Sequence, residues 1–244
     1  MSTTSNAATA TAGQNGAGHE GLAAPDSGSD AVLERAGGVA GLVFVAGVAL
    51  QNAVLLSGSP MPDADLAEIT DFYASGESRI TVAVALVAVN VVCLLLFASS
   101  VANRLDRHPA ARVAARAGFG GAVVLIGAFL TTTAVQAVLV ARVESLDAAG
   151  QVQLLWDLHS AAFAMSASSL AVVLGAFSLG SLLGGAVVPR WTALLGLVGG
   201  GALLVAGALV VSTLDGGAGL FLQLVGFVIW LVFLVAASVR LVRR

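Results

Sequence analysis

Six times along this chain, between 24 and 32 consecutive residues pass without an Asp, Glu, Lys or Arg. The intervals are Arg35 to Asp63, Arg79 to Arg104, Arg116 to Arg142, Asp157 to Arg190, Arg190 to Asp215 and Asp215 to Arg240. A water-facing helix carries charge on one face at a 3.6-residue period, and none of these stretches does. A hydrocarbon layer is crossed by about 20 residues of helix, and ions are costly inside it. The pattern predicts an all-α polytopic membrane protein with six spanning helices, near 37–56, 80–102, 117–140, 158–183, 192–213 and 219–239. Composition decides one further point. Only 10% of the residues are charged, whereas a soluble domain carries about 25% to cover its surface.

The charges that remain are sorted. RLDRHPAARVAAR, Arg104 to Arg116, holds four of the 11 basic residues. Cytoplasmic loops carry the excess of basic residues. With that loop inside, alternation places Arg35, Arg190, Arg240, Arg243 and Arg244 inside too, leaving only Arg79 and Arg142 outside. The expected threading is N-terminus in, C-terminus in. Arg104, Arg107, Arg112 and Arg116 are then a topology determinant and a contact for anionic lipid. The stretch lacks the interleaved aromatics and motifs of a nucleic-acid surface, so no nucleic-acid partner is expected. Asp63, Asp65, Glu68, Asp71, Glu77, Glu144, Asp147, Asp157 and Asp215 gather on the opposite side, where they solvate the loops and can attract cations. Every basic residue is Arg, and Ala, Gly and Val are abundant. That bias points to a GC-rich bacterial genome, hence a multi-pass protein of the bacterial cytoplasmic membrane.

Residues 1–33 read as a disordered cytoplasmic tail and 34–244 as the transmembrane domain. The tail is Ser, Thr, Ala, Gly and Asn with too little apolar bulk to offset ordering entropy. It has no basic start followed by an apolar core, so the first helix is expected to act as an uncleaved signal anchor. His19 lies in this tail. The first outer loop spaces Leu66, Ile69 and Phe72 or Tyr73 at three and four residues, with Asp63 as a cap. It predicts a short amphipathic helix lying on the outer surface. The second outer loop is expected to form a similar turn before helix four.

Lipid gives helices no hydrophobic reason to associate, so close packing at small residues matters. Gly37 and Gly41, Gly180 and Gly184, and Gly196 and Gly200 are paired at GxxxG spacing. They predict contacts within the chain or the face of a homo-oligomer or membrane-protein partner. Trp191 and Trp156 read as interface anchors and Trp230 as packing. Cys93 reads as a small buried hydrophobe.

Few polar side chains fall inside the spans. Gln51 and Asn52 lie in the outer third of the first helix, Thr131, Thr132, Thr133 and Gln136 in the outer part of the third. Asp157 and His159 open the fourth and Gln223 the sixth, also outside, while Asn90 lies near the midplane of the second. Four helices thus place polar groups at a similar depth. Gln51, Asn52, Asn90, Thr132, Gln136, His159 and Gln223 are the candidates for an outward-facing polar pocket. The bland alternative is that helix ends near water tolerate polar residues. Asp157 and His159, two apart, face differently on a helix and are not a ready-made acid–base pair.

The missing motifs exclude more than the present ones suggest. The three histidines and one cysteine show no metal-ligand spacing, and there is no HExxH, Walker A or GxSxG. No catalytic residue, metal or cofactor is expected. GLVGGGALLVAG and GFGGAVVLIG lie within spans and read as packing surfaces, not phosphate cradles.

DLHSAAFAMSASSLAVVLGAFSLGSLLGGAVVPRWTALLGLVGGGALLVAG carries a His opening helix four, a Gly within it, then Pro-Arg-Trp and a Gly-rich helix. These are His159, Gly175, Pro189, Arg190 and Trp191. The stretch resembles the C-terminal half of a family of six-helix bacterial membrane proteins known only as a domain of unknown function. ERAGGVAGLVFVAG resembles that family's first helix and GESRI its entry into the second, so the resemblance covers about residues 34–240. It implies the six-helix fold and carries no established activity. The expected function is therefore a non-enzymatic membrane component, small-ligand-binding or accessory. The alternatives are a small transporter or permease subunit, and an intramembrane enzyme built on His159.

Overall fold

The computed structural model describes residues 27–56, 58–146 and 150–243. The expected tail up to residue 26, with His19, lies outside the described residues, as do Asp147 and Arg244. The chain forms eight α-helices among those residues: α1 (Ser27–Leu56), α2 (Leu66–Ser75), α3 (Glu77–Asp106), α4 (Arg112–Leu146), α5 (Gln151–Gly180), α6 (Arg190–Ala208), α7 (Val210–Leu214) and α8 (Ala218–Val242). All but α2 and α7 are long and apolar enough to cross a membrane. The chain is a multi-pass membrane protein, all-helical with no strand among the described residues.

Proline explains much of the punctuation. Pro60 and Pro62 fall between α1 and α2, Pro109 in a 3₁₀ turn before α4, and Pro189 just ahead of α6. The spans themselves contain none, so each satisfies its own backbone hydrogen bonds, as a hydrocarbon solvent requires. The helices run beyond the charge-free intervals because the backbone ladder does not stop where the first charge appears. α4 continues past Arg142 to Leu146, and α5 starts at Gln151, taking up the stretch where a separate turn was expected. α1 starts at Ser27, inside the expected tail. Its first turns are fastened to α3, where Ser100 Oγ donates to the Leu33 carbonyl and Arg104 and Arg107 both reach Glu34. The last-but-one span is also not one helix. It breaks at Leu209 (φ −99°, ψ 36°) before α7 resumes.

Consecutive spans are neighbours, and α8 returns to pack on α1, closing a ring. Every contact along it is antiparallel. On α1 the glycines Gly37, Gly41 and Gly47 meet Ser100, Phe97 and Asn90 of α3, so numbers climb on one helix as they fall on the other. Gly196 and Gly200 of α6 meet Ser178 and Gly175 of α5 in the same sense. These glycine pairs serve contacts within the chain. The third differs: Gly180 packs on Leu105 and Ala114, but Gly184 is non-helical, with φ 120°. It belongs to a π-helical turn, Ser181–Gly185, that ends α5.

The main core runs through the ring, from Phe44, Leu94 and Phe97 through Leu125, Leu174 and Phe177 to Trp230 and Phe233. Half of the apolar window of α5 is buried, more than in any other span. Facing outward are Val89 and Val92, Val123 and Val124, Val198 and Leu204, Leu224 and Val228. So continuous an apolar exterior suits lipid and not water.

The ends of the bundle differ in charge. The arginine-rich end carries Arg35, Arg104, Arg107, Arg112, Arg116, Arg190, Arg240 and Arg243, and the acidic end carries α2 and the turn after α7. The apolar face of α2, which its amphipathic pattern predicted, is turned to the protein. The helix folds down onto α4 and α5 and buries Ile69, Phe72 and Tyr73. Its cap is Asp65, not Asp63: the Asp65 carboxylate accepts from Glu68 N–H at 2.9 Å. The docked face joins Val135, Leu139, Val143, Val152 and Trp156 in a second, smaller core.

Candidate functional site

The acidic end holds a recess of about 230 Å³ lined by Pro62, Asp63, Ala64, Gln153, Asp157, Ser160, Leu214 and Asp215. Three separate elements supply its carboxylates. Asp63 comes from the loop before α2, Asp157 from the second turn of α5, and Asp215 from the C-terminus of α7. Gln153 Nε2 donates to Asp157 Oδ1 at 3.0 Å and fixes that side chain. No three acidic, His or Cys side chains among the described residues come close enough to hold a metal ion.

Beneath α2, Trp156 organises the neighbourhood. Its Nε1–H donates to the Pro62 carbonyl at 3.2 Å, tying α5 to the rim of the recess. Tyr73 meets the indole edge-on, with centroids 6.4 Å apart, and His159 stacks on it at 5.3 Å and 16°. The Arg79 guanidinium sits 4.9 Å over the Phe72 ring. Burial pushes the Tyr73 hydroxyl well above its ordinary pKa. Trp156 is thus a packed, bonded element and not a free interface anchor. Trp191 is 62% exposed, and Trp230 is fully buried against Phe44.

The seven candidate residues fall into separate arrangements. Asn90 Nδ2 donates to Gln51 Oε1 at 3.2 Å, joining α3 to α1, and Asn90 also packs against Gly47. Asn52 is exposed, and its amide turns back onto the Val48 carbonyl at 2.8 Å. Thr132, with Thr131 and Thr133, bonds carbonyls of its own helix. Gln136 is half-buried on α4. Gln223 is buried and spans from α8 to the Phe163 carbonyl at 3.2 Å, its Oε1 without a partner. His159 is on the Trp156 stack. None of the seven lines the recess, although Asp157 and Ser160 flank His159 on either side.

Sequence reasoning missed Glu34. It is 8% exposed and accepts from Arg104 and Arg107, each at 2.9 Å. A second recess, about 220 Å³, lies beside it, lined by Leu33, Glu34, Ser100, Asn103 and Arg107. The available signal was a lone acid at the basic end of the first span. Arg112 and Arg116 lie 3.6 Å and 4.0 Å from Asp106 and remain exposed. No family model matches this chain, and no match was found among curated proteins or solved structures.

Proposed function

We propose that the chain is a non-enzymatic component of a bacterial cytoplasmic membrane, with both termini inside, that binds a small ligand at its outward acidic end. The observation that carries this reading is the recess. Three exposed aspartates from three elements surround about 230 Å³ with no basic residue in the lining. Sites for drug-sized ligands run to about 300–1,000 Å³, so the occupant is smaller, and the charge favours a cation. On the inner side, the contact with anionic lipid rests on Arg107, Arg112 and Arg116, whose side chains stay exposed, whereas Arg104 is buried against Glu34.

The test is thermal unfolding of the purified protein against a panel of small amines and small carboxylates. Ligand binding to the folded state raises the midpoint with concentration. Amines are expected to raise it, and D157N with D215N to abolish the rise. Equal shifts by carboxylates, or an unchanged response in the double variant, would overturn the reading.

A small transporter or permease subunit is the second reading. Its support is the helix break at Leu209, after which α7 runs to Leu214 and Asp215 in the lining of the recess. Discontinuous helices line transport sites. Amine uptake into vesicles containing the protein, absent from empty vesicles, would favour it over simple binding.

A further inference from the structure

We infer that the recess at the arginine-rich end seats one phospholipid whose head joins a phosphate to a primary ammonium, as in phosphatidylethanolamine. The argument begins with the lining. Leu33 and Glu34 of α1 and Ser100, Asn103 and Arg107 of α3 surround about 220 Å³. Beside it the two helices touch, because Gly37 leaves room for the Ser100 side chain. Ser100 Oγ also donates to the Leu33 carbonyl at 3.2 Å. Both signs of charge stand in the wall. Glu34 is 8% exposed, with Oε2 accepting from Arg104 and Oε1 from Arg107, each at 2.9 Å. A carboxylate accepts about four hydrogen bonds, so Glu34 keeps acceptor capacity for an ammonium. Arg107 gives Nη2 to Glu34, and its side chain is 48% exposed. A guanidinium carries five donors in a fork that matches a phosphate. Asn103 adds an exposed amide. A plain anion would set its charge against Glu34, and a plain cation would set its own against Arg107. A head carrying both signs answers both.

The helix face identifies the source as lipid. Val89, Val92 and Leu96 of α3 are exposed along the apolar girdle. Ser100, Asn103 and Arg107 continue them at spacings of three and four residues, so the six share one face. Val32 and Leu33 of α1 are exposed alongside. Acyl chains lying on the apolar part of that face bring a head to the recess, as polar pockets between spans bind headgroups. A soluble ligand has no use for it. Arg112 and Arg116 lie outside the lining, so this seat and the general contact with anionic lipid can fail separately. The seat is also independent of what the acidic recess binds.

Native mass spectrometry of the full chain reads the preference, in micelles holding equal amounts of phosphatidylethanolamine, phosphatidylcholine and phosphatidylglycerol. Phosphatidylethanolamine is expected to be retained about tenfold over phosphatidylcholine, whose quaternary nitrogen has no proton to give Glu34. This comparison tests the carboxylate without mutating it. R107Q should abolish the preference and N103L reduce it, while R112Q with R116Q leaves it unchanged. Asn103 is exposed, so N103L keeps the fold even where R107Q does not. Equal retention of the ethanolamine and choline lipids, a preference for phosphatidylglycerol, or a ratio unchanged in R107Q or in N103L overturns the proposal. Glycerophosphoethanolamine, the same head without chains, separates the two sources. It should fail to displace the lipid at equal concentration; displacement would make the recess a site for a soluble ligand and overturn the lipid assignment.

Discussion

At the arginine-rich end, one buried carboxylate takes two guanidinium groups, and the first turns of α1 are pinned to α3 by it. At the acidic end, Asp63, Asp157 and Asp215 stand apart around a recess, each from a different element. The two ends share one bundle and one hydrocarbon girdle, so the contrast is not one of solvent. It is one of matching. Charge is paired with charge where α1 and α3 must hold together. At the other end three like-charged carboxylates gather around the recess with no basic residue in its lining.

The comparison breaks most readily at Glu34. E34A leaves Arg104, which is 11% exposed, without its counter-charge. Removing one partner of a buried pair costs about 3–5 kcal/mol. Denaturant unfolding in mixed micelles should show that loss. E34M with R104M, which replaces both charges by apolar groups of similar length, should recover most of it. A cost below about 1 kcal/mol for E34A would mean the pair behaves as a surface ion pair, and the arginine-rich end would be no firmer than the other.

How far these ends were legible in the sequence follows from what sets each feature. The six spans were readable because the expense of an ion in hydrocarbon acts residue by residue. Helix ends were not, because the backbone ladder of α4 and α5 continues through charged positions such as Arg142 and Asp157. Counting from Arg35 turned Glu34 into a boundary marker, although the structure makes it the main ionic contact of α1. The pattern of Ile69, Phe72 and Tyr73 announced an apolar face on α2 but not its partner, since the same stripe suits a membrane surface or a protein one. The Gln51–Asn90 pair needed the register of α1 on α3, which is set by Gly37, Gly41 and Gly47 meeting particular residues across the interface. Spacing within one helix carries no such information. The recess escaped because its aspartates lie in three elements, each of which alone reads as a solvated loop.

A second prediction sharpens the contrast from the acidic side. Tyr73 is the single tyrosine of the chain, so tyrosinate absorbance reports it alone. Burial holds its proton on above the ordinary value of 10.0. Below about pH 10 the hydroxyl is protonated whether α2 is docked or not, and its contribution to docking is constant. Above that, the undocked form loses its proton while the docked form keeps it. Docking therefore weakens as pH rises, by about 1.4 kcal/mol per unit. Exchange of α2 amides, corrected for the intrinsic rate, should accelerate above pH 10, and Y73F should remove that acceleration. Tyr73 titrating at its ordinary value with α2 still protected would remove the distinction, because a docked, buried phenol cannot behave as a free one.

The smallest effect tests whether matching, rather than polarity itself, separates firm regions from marginal ones. Asn52 and Asn90 are the same residue type on neighbouring helices. The Asn52 amide turns back on its own helix and is exposed; that of Asn90 crosses to Gln51 and is 4% exposed. N52A should change unfolding by no more than about 0.5 kcal/mol, as other exposed positions do. N90A leaves the Gln51 carbonyl short of a donor and empties the space against Gly47, and should cost about 1–2 kcal/mol. A double-variant cycle with Q51A isolates the bond itself, and a coupling near 0.6 kcal/mol is typical between membrane helices. If N52A and N90A cost the same, depth in the bundle would set the penalty and the partner would not. The pairing argument made for Glu34 would then fail with it, since both rest on a polar group being stabilising only where the opposite helix answers it.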